Sequence, residues 1–334
     1  DTYPKGLVDI DERLTSRVPP TRDGVGPSCV GLPAGDWATV FDFLVQRFPA
    51  QSGEVWQTRM TQGLVLDEQG RAVGPAQPYR SHCRIYYYRD CAVEVPIPFQ
   101  ADILYRDAHL LVVDKPHFLP VAPSGRYVQE TVLVRLKREL GLDGISPIHR
   151  IDRDTAGLVM FSLQPGSRDA YHGLFRMRQV DKTYEAIAPW RSDLGLPLTR
   201  SSRIVEGTHF LQHCEGPGEA NATTHVDMLH RLGALAHYRL RPVTGHQHQL
   251  RVHMAALGIP IVGDGIYPVL TPQRETRDAL PLQLLARAIG FTDPVSGQPR
   301  NFESRRTLAL ATASAASMHV GQAADDADQR DSNQ

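Results

Sequence analysis

The stretch His149-Arg150-Ile151-Asp152-Arg153-Asp154-Thr155-Ala156-Gly157-Leu158 constrains this chain more than any other. Ionisable side chains crowd its first half, yet apolar runs flank it, Ile145 to Ile148 before and Leu158 to Phe161 after. A polar run between two buried segments reads as a loop that presents side chains at the mouth of a buried element. Leu158-Val159-Met160-Phe161 is predicted to be a buried strand, and Gly157 ahead of it permits close backbone approach or an unusual turn. The plainer reading is a solvated loop whose Asp and Arg side chains pair weakly with one another.

Composition narrows the classes. A chain of 334 residues can hold a large domain and a smaller one. Hydrophobic content of 41% and charged content of 22% are ordinary for a soluble globular protein. Lys+Arg 36 against Asp+Glu 37 gives a net charge of −1, so any nucleic-acid binding must rely on a local basic groove. Cys29, Cys83, Cys91 and Cys214 are too dispersed for a close metal cluster, which suggests reduced thiols in a cytoplasmic protein. No apolar run approaches membrane-spanning length.

Along the chain, residues 1–35 carry Pro19-Pro20, Gly24, Gly26, Pro27, Gly31, Pro33 and Gly35 and read as an extended arm. Residues 36–92 read as a small domain. Asp36 is expected to cap a helix through Val40 to Phe48, which Pro49 ends. A second helix spans Glu54 to Thr61, followed by Leu64-Val65-Leu66, a turn at Glu68-Gln69-Gly70, and Ala72-Val73. Arg84 to Tyr88 is a strand. Its tyrosines could stack on bases, but core packing of Ile85, Tyr86 and Tyr88 is the preferred reading.

Pro96 and Pro98 mark a linker into a main domain over residues 96–308. Ile103-Leu104-Tyr105 and Leu110 to Val113 are strands leading into Asp114-Lys115-Pro116. Apolar spacing predicts a helix over Thr131 to Leu140, ended by Gly141, and another over Ser167 to Arg178. A strand over Asp181 to Ala188 places Lys182 and Tyr184 on one side. Residues 206–224 read as a surface loop with an edge hairpin, and Val226 to Leu229 with Ala234 to Leu240 as a further hairpin. Thr244-Gly245-His246-Gln247-His248-Gln249-Leu250-Arg251-Val252-His253 follows, then Gly258 to Asp264. The spacing of His246, His248 and His253 does not put all three on one helical face, so no metal is assigned. Capping and hydrogen bonding at a helix start account better for His248. Residues 309–334, rich in Ala, Ser, Asp and Gln, are expected to be disordered.

The first stretch resembles the catalytic motif of the RluA family of RNA pseudouridine synthases, with Ile151 for the usual Leu and Ala156 for the usual Ser. The segment Thr244 to His253 resembles the family's second signature, with His246 where Arg or Lys is usual. Lys182-Thr183-Tyr184 fits the family's Lys-x-Tyr, and Ile103 to Pro116 its domain opening. Leu284-Leu285-Ala286 lacks the His usual there. The likeness spans roughly residues 96 to 304.

The resemblance implies an α+β fold: a mixed, largely antiparallel sheet with a central cleft. Residues 36–92 resemble, in pattern only, the small S-four-like RNA-binding domain, with Arg59 as the sole basic residue of the second helix. The implied activity is isomerisation of specific uridines to pseudouridine in ribosomal or transfer RNA, without a cofactor, by a monomer. Asp152 would be the catalytic carboxylate, either a nucleophile at the anomeric carbon or a base at the neighbouring carbon. Arg251 would pair with it. Tyr184 would pack on the uracil and help remove the carbon 5 proton. Arg150 would fill the vacated base stack, or else form a salt bridge with Asp154. Lys115, Lys182 and His248 are candidate RNA contacts, with a plain turn lysine as the other reading of Lys115. One rival is an inactive RNA-binding or ribosome-assembly protein on the same fold. Another is a hydrolase that uses Asp152 and Asp154 as an acid/base pair.

Overall fold

The computed structural model describes residues 18–89, 94–209, 211–271 and 280–312. The chain divides into two compact units: Asp1–Val95 with Gly125–Gln129 and Lys137–Asp143, and the remainder from Pro96 onward.

The first unit contains β1 (Ser28–Gly31), α1 (Val40–Arg47), α2 (Gly53–Thr61), β2 (Val65–Leu66) and β3 (Arg84–Tyr87). Its sheet is antiparallel in the order β1-β3-β2. Thr39, not Asp36, starts α1. Its hydroxyl accepts from the Asp42 N–H at 3.1 Å, and the Asp42 carboxylate accepts from the Thr39 N–H at 3.0 Å. That reciprocal pair satisfies two otherwise unpaired helix donors. Ser52 caps α2. Phe43, Leu44, Trp56, Met60, Ile85 and Tyr87 form one core.

The expectation of an arm over residues 1–35 is corrected for Ser28–Gly31, which pairs with β3 in the register Ser28 to Tyr87. Pro and Gly on both sides of Cys29-Val30 hide a strand this short. Residues 1–17 lie outside the described residues. Ile85, Tyr86, Tyr87 and Tyr88 are all buried. The Tyr88 hydroxyl donates to the Pro20 carbonyl at 2.6 Å, and the Arg22 guanidinium lies 4.1 Å from its ring centroid. Arg59 is buried too, 5.1 Å from the Trp56 ring.

The second unit is built on a large sheet. Its strands are β4 (Asp102–Arg106), β5 (Leu110–Lys115), β6 (Ser146–Pro147), β7 (Ala156–Ser162), β8 (Asp181–Pro189), β9 (Leu198–Glu206), β10 (His213–Gly216), β11 (Ala222–Leu232), β12 (Leu235–Pro242), β13 (Leu284–Thr292) and β14 (Pro299–Glu303). Helices α4 (Pro165–Arg176) and α5 (Gln249–Ala256) belong to it, and α3 (Val132–Leu140) is divided between the two units after Leu136. The main order is β10-β9-β11-β12-β8-β13-β7-β5-β4, with β14 on β13 and β6 on β7. Every pairing is antiparallel except that of β13 with β7. The fold is therefore the mixed, mostly antiparallel α+β class.

β5 and β7 are buried along their whole length, as their continuous apolar runs dictate. Leu110, Val112, Leu158 and Met160 pack there with Tyr171 and Leu174 of α4. A second cluster joins Ala186, Tyr238 and Leu240 to Leu250 and Met254 of α5. β7 meets β13 at only Ala156–Leu285 and Gly157–Ala286. Gly157 has φ +110°, and a Cβ there would lie 2.3 Å from the Ala286 carbonyl oxygen, so only glycine fits this approach. The disordered-tail expectation is corrected for residues 309–312. They form a helical turn, and Leu310 and Ala311 pack with Leu308 on Ala156, Ile187 and Leu285. Two apolar side chains docking on a preformed core leave little trace in a polar, low-complexity tail. The rest of that tail lies outside the described residues. Among the described residues no helix is long and apolar enough to cross a membrane.

Candidate active site

The Asp152 loop runs between β6 and β7 and is pinned mostly through its backbone. Lys115, at the end of β5, is fully buried, and its Nζ donates to the Arg153 carbonyl at 2.9 Å and the Pro116 carbonyl at 3.0 Å. Burial brings its ammonium down to about 7 against the pull of Asp154 and Asp152. Lys115 is thus not a turn lysine but a strut beneath the loop. A Lys followed by Pro looks like a turn in sequence, whereas here it ends a buried strand. His117 donates from Nδ1 to the Asp154 carbonyl at 2.7 Å, and Arg153 donates from Nε to the Phe118 carbonyl at 3.2 Å. His149 accepts the Met160 N–H at 3.1 Å and stacks on Phe175 with centroids 4.7 Å apart. Burial, then the charge of Lys182, holds its imidazole near 3, so it is neutral.

Arg251 brings the second half of the site. Gln249 fixes the start of α5. Its Oε1 accepts from the Thr244 hydroxyl at 2.7 Å and the His246 N–H at 3.1 Å, and its Nε2 donates to the Thr223 carbonyl at 3.0 Å. Two residues on, the Arg251 side chain is 3% exposed. Its Nη1 donates to Asp152 Oδ2 at 2.9 Å. Its Nε and Nη2 donate to the two oxygens of Asp264 at 2.8 and 2.7 Å. Burial opposes its charge, and the bonds to Asp264 and the two carboxylate charges outweigh that. Asp264 is held in turn by the N–H groups of Ile266 at 2.8 Å and Tyr267 at 3.0 Å. One planar guanidinium thus grips a fully buried carboxylate bidentately and keeps one donor for Asp152. The Asp152 side chain is 28% exposed, so the pair opens toward solvent on that side only.

Tyr184 on β8 packs against the cluster around α5. Burial, then the charge of Asp152, pushes its hydroxyl above the usual range, so it stays protonated. Lys182 donates to the Thr244 carbonyl at 3.0 Å, which ties β8 to the segment before α5. Burial, then Arg178, draws its ammonium down. His248 takes the residue before α5, yet its side chain does not cap the helix. Its Nε2 lies 3.7 Å from Asp152 Oδ1, and its Nδ1 lies 3.0 Å from the Tyr267 hydroxyl. Asp152, Tyr184, Arg251 and His248 thus come together, whereas Lys115 and Lys182 brace the walls.

Arg150 is exposed and makes no hydrogen bond or ion pair among the described residues, while Asp154 lies 3.5 Å from Arg153. His246 donates to the Asn221 carbonyl at 2.9 Å, and His253 sits between Ser202 and Thr224 at 3.0 and 2.9 Å. The three histidines face separate protein partners. Among the described residues no His, Cys, Asp or Glu group has the arrangement of a metal site. Sequence reasoning missed Asp264 and Tyr267 as site residues. The available signal was an Asp one glycine after the apolar run Ile259 to Val262, since an Asp drawn into the interior beside such a run needs a charged partner.

Residues 109–256 match the RNA pseudouridylate synthase family model. The chain is 32% identical over 220 residues to the dual-specificity RNA pseudouridine synthase RluA of Haemophilus influenzae, spanning 63% of this chain and 95% of that one. It is 29% identical over 284 residues to the ribosomal large subunit pseudouridine synthase D of Zymomonas mobilis, spanning 76% and 85%. The solved structure of human RNA pseudouridylate synthase domain containing 1 shares the fold, with a TM-score of 0.50 at 22% identity over 64% of this chain and 86% of that one. Likeness across nearly the whole of a compact relative makes this chain a member of the RluA family of RNA pseudouridine synthases, and so an isomerase.

Proposed function

We propose that this chain converts selected uridines of ribosomal or transfer RNA to pseudouridine, with Asp152 as the reacting carboxylate. The observation that carries the reading is the Asp152–Arg251 contact at 2.9 Å beside the half-buried Tyr184. A carboxylate hydrogen-bonded to a buried guanidinium, with one side open, suits either attack on the anomeric carbon or proton abstraction at its neighbour. The freed uracil rotates against the Tyr184 ring and rejoins through carbon 5, so no cofactor takes part. A target base must leave its stack to reach such a site. The exposed guanidinium of Arg150, unpaired among the described residues, suits filling the gap better than bridging to Asp154, which has Arg153 beside it.

One relative is named for the large ribosomal subunit and another, from Saccharomyces cerevisiae, is a tRNA pseudouridine(32) synthase, hence the two RNA classes. The S-four-like reading of the first unit stays part of this proposal. With Arg59 and the tyrosine triplet buried, any RNA contact there must come from other residues. We further expect a cytoplasmic monomer. The test is tritium release from RNA labelled at carbon 5 of uridine, run separately on ribosomal and transfer RNA, with Asp152→Asn as control. Release by the natural chain and none by D152N supports the reading. Normal release by D152N overturns it. Cleavage of free nucleosides would instead favour the hydrolase.

A further inference from the structure

We infer that His248 is a positioning residue for Asp152: a relay through Tyr267 presents its neutral Nε2–H to Asp152 Oδ1. The inference rests on the reading of Asp152 as the reacting carboxylate. It starts at a donor that has no alternative. The backbone N–H of His213 donates to the Tyr267 hydroxyl oxygen at 2.8 Å. That hydroxyl also lies 3.0 Å from His248 Nδ1. If His248 donated from Nδ1, the Tyr267 oxygen would accept twice and its own proton would have no partner among the described residues, in a residue 7% exposed. Buried polar hydrogens find acceptors, so the Tyr267 O–H donates to His248 Nδ1. A neutral imidazole that accepts at Nδ1 carries its proton at Nε2.

Nε2 is the atom that faces Asp152, 3.7 Å from Oδ1. The groups facing this ring are Asp152 from the loop before β7, Arg251 from α5, Asp264 and Tyr267 from the segment after α5, and His213 from β10. Burial, ahead of Arg251 and His213, keeps the ring below its ordinary range although the two carboxylates pull upward. The backbone contributes too. His248 has φ 57° and ψ 13°, a left-handed conformation rarely taken by a residue with a side chain, and it turns the chain at the entry to α5.

The two oxygens of Asp152 are therefore addressed differently. Oδ2 is bound by a fixed cation at 2.9 Å. Oδ1 faces a neutral donor that is near enough to orient it and too far to occupy it. Oδ1 is the oxygen left to react, and donors of this kind tighten when substrate closes the gap.

The first measurement is a long-range proton–nitrogen correlation spectrum of the full chain labelled with nitrogen-15 histidine at neutral pH, with the His248 signals assigned by their loss in His248→Gln. A protonated Nε2 and an accepting Nδ1 are expected. An Nδ1–H tautomer or a doubly protonated ring overturns the relay. In the tritium assay, His248→Ala should lower kcat about 10- to 100-fold with KM for RNA unchanged, the scale of one hydrogen bond to a charged group. His248→Gln, which carries an amide donor near Nε2, should recover most of that loss. Tyr267→Phe should mix the tautomers and lower kcat about tenfold. Equal loss in His248→Gln and His248→Ala, or full activity in His248→Ala, rules out donation by Nε2. An inactive D152N alongside a fully active His248→Ala refutes this inference alone, whereas an active D152N removes the reading beneath it.

Discussion

Arg251 and Arg287 do the same chemistry in two parts of the second unit with opposite outcomes. Arg287 on β13 donates through Nε and Nη2 to Glu185 of the neighbouring β8 at 2.9 and 3.0 Å. Its Nη1 goes to the carbonyls of Ser304 and Arg306 at 2.8 and 2.9 Å. His237 takes up the second Glu185 oxygen at 3.1 Å. All three Arg287 nitrogens and both Glu185 oxygens are occupied, with only His237 Nδ1 lacking a hydrogen-bond partner among the described residues, and the network fastens the segment after β14 to the sheet. Arg251 also grips one carboxylate with two donors, but its third donor reaches a second carboxylate that keeps an oxygen open. A buried ion pair that closes on itself acts as a fastener. The same pair with one oxygen left over can act on a substrate.

The comparison can be tested by removing each arginine. Arg251→Ala leaves Asp264 buried without its cation, so about 3–5 kcal/mol of stability should go. Turnover should fall by about a thousandfold or more even where the protein remains folded, because Asp152 loses its orienting cation. Urea unfolding and tritium release measure the two losses separately. Asp264→Asn keeps Arg251 but weakens its anchor. Turnover should drop about 10- to 100-fold with a smaller stability loss. Arg287→Ala should cost about 2–3 kcal/mol in urea unfolding and leave turnover per folded molecule within about twofold of the natural chain. A large drop in kcat for Arg287→Ala, with stability corrected for, would erase the distinction.

The effect that is smallest near neutral pH concerns acid. Burial holds His149 near 3 and His253 near 4. In the unfolded chain both take a proton below about 6.5. The unfolded state therefore binds more protons between about 6.5 and the folded values, and stability falls as pH drops through that window. The limiting slope is about 1.4 kcal/mol per pH unit for each group. His253→Asn, which can keep hydrogen bonds to Ser202 or Thr224 without titrating, should flatten the upper part of the curve. An unchanged curve would mean that His253 titrates alike in both states.

Much of this was legible from local pattern. The apolar runs marked β5 and β7, a helix start was expected at His248, and Gly157 marked a close approach. The two motifs, far apart in sequence, supplied the pair Asp152 and Arg251. Partners that depend on distant segments stayed hidden. Asp264 follows an apolar run at a turn, and such an Asp looks the same whether it meets water or a buried guanidinium. Lys115 gives no sign that its ammonium ends beneath a loop 38 residues further on. β1 is too short, and too closely hemmed by Gly and Pro, to show a period. In the Thr39 to Asp42 capping box the reciprocal side chains, rather than the first acidic residue, set where α1 begins.

The joint between β7 and β13 has a mechanical meaning. Two residue pairs unite the half of the sheet that leads out of the Asp152 loop with the half that carries Tyr184, and Ala286 of that joint pairs with Tyr184 itself. Spacing in the reaction centre is thus gauged across a weld one glycine wide. A methyl group at residue 157 would act as a shim: it would move the two jaws of the site apart without touching any residue that does chemistry.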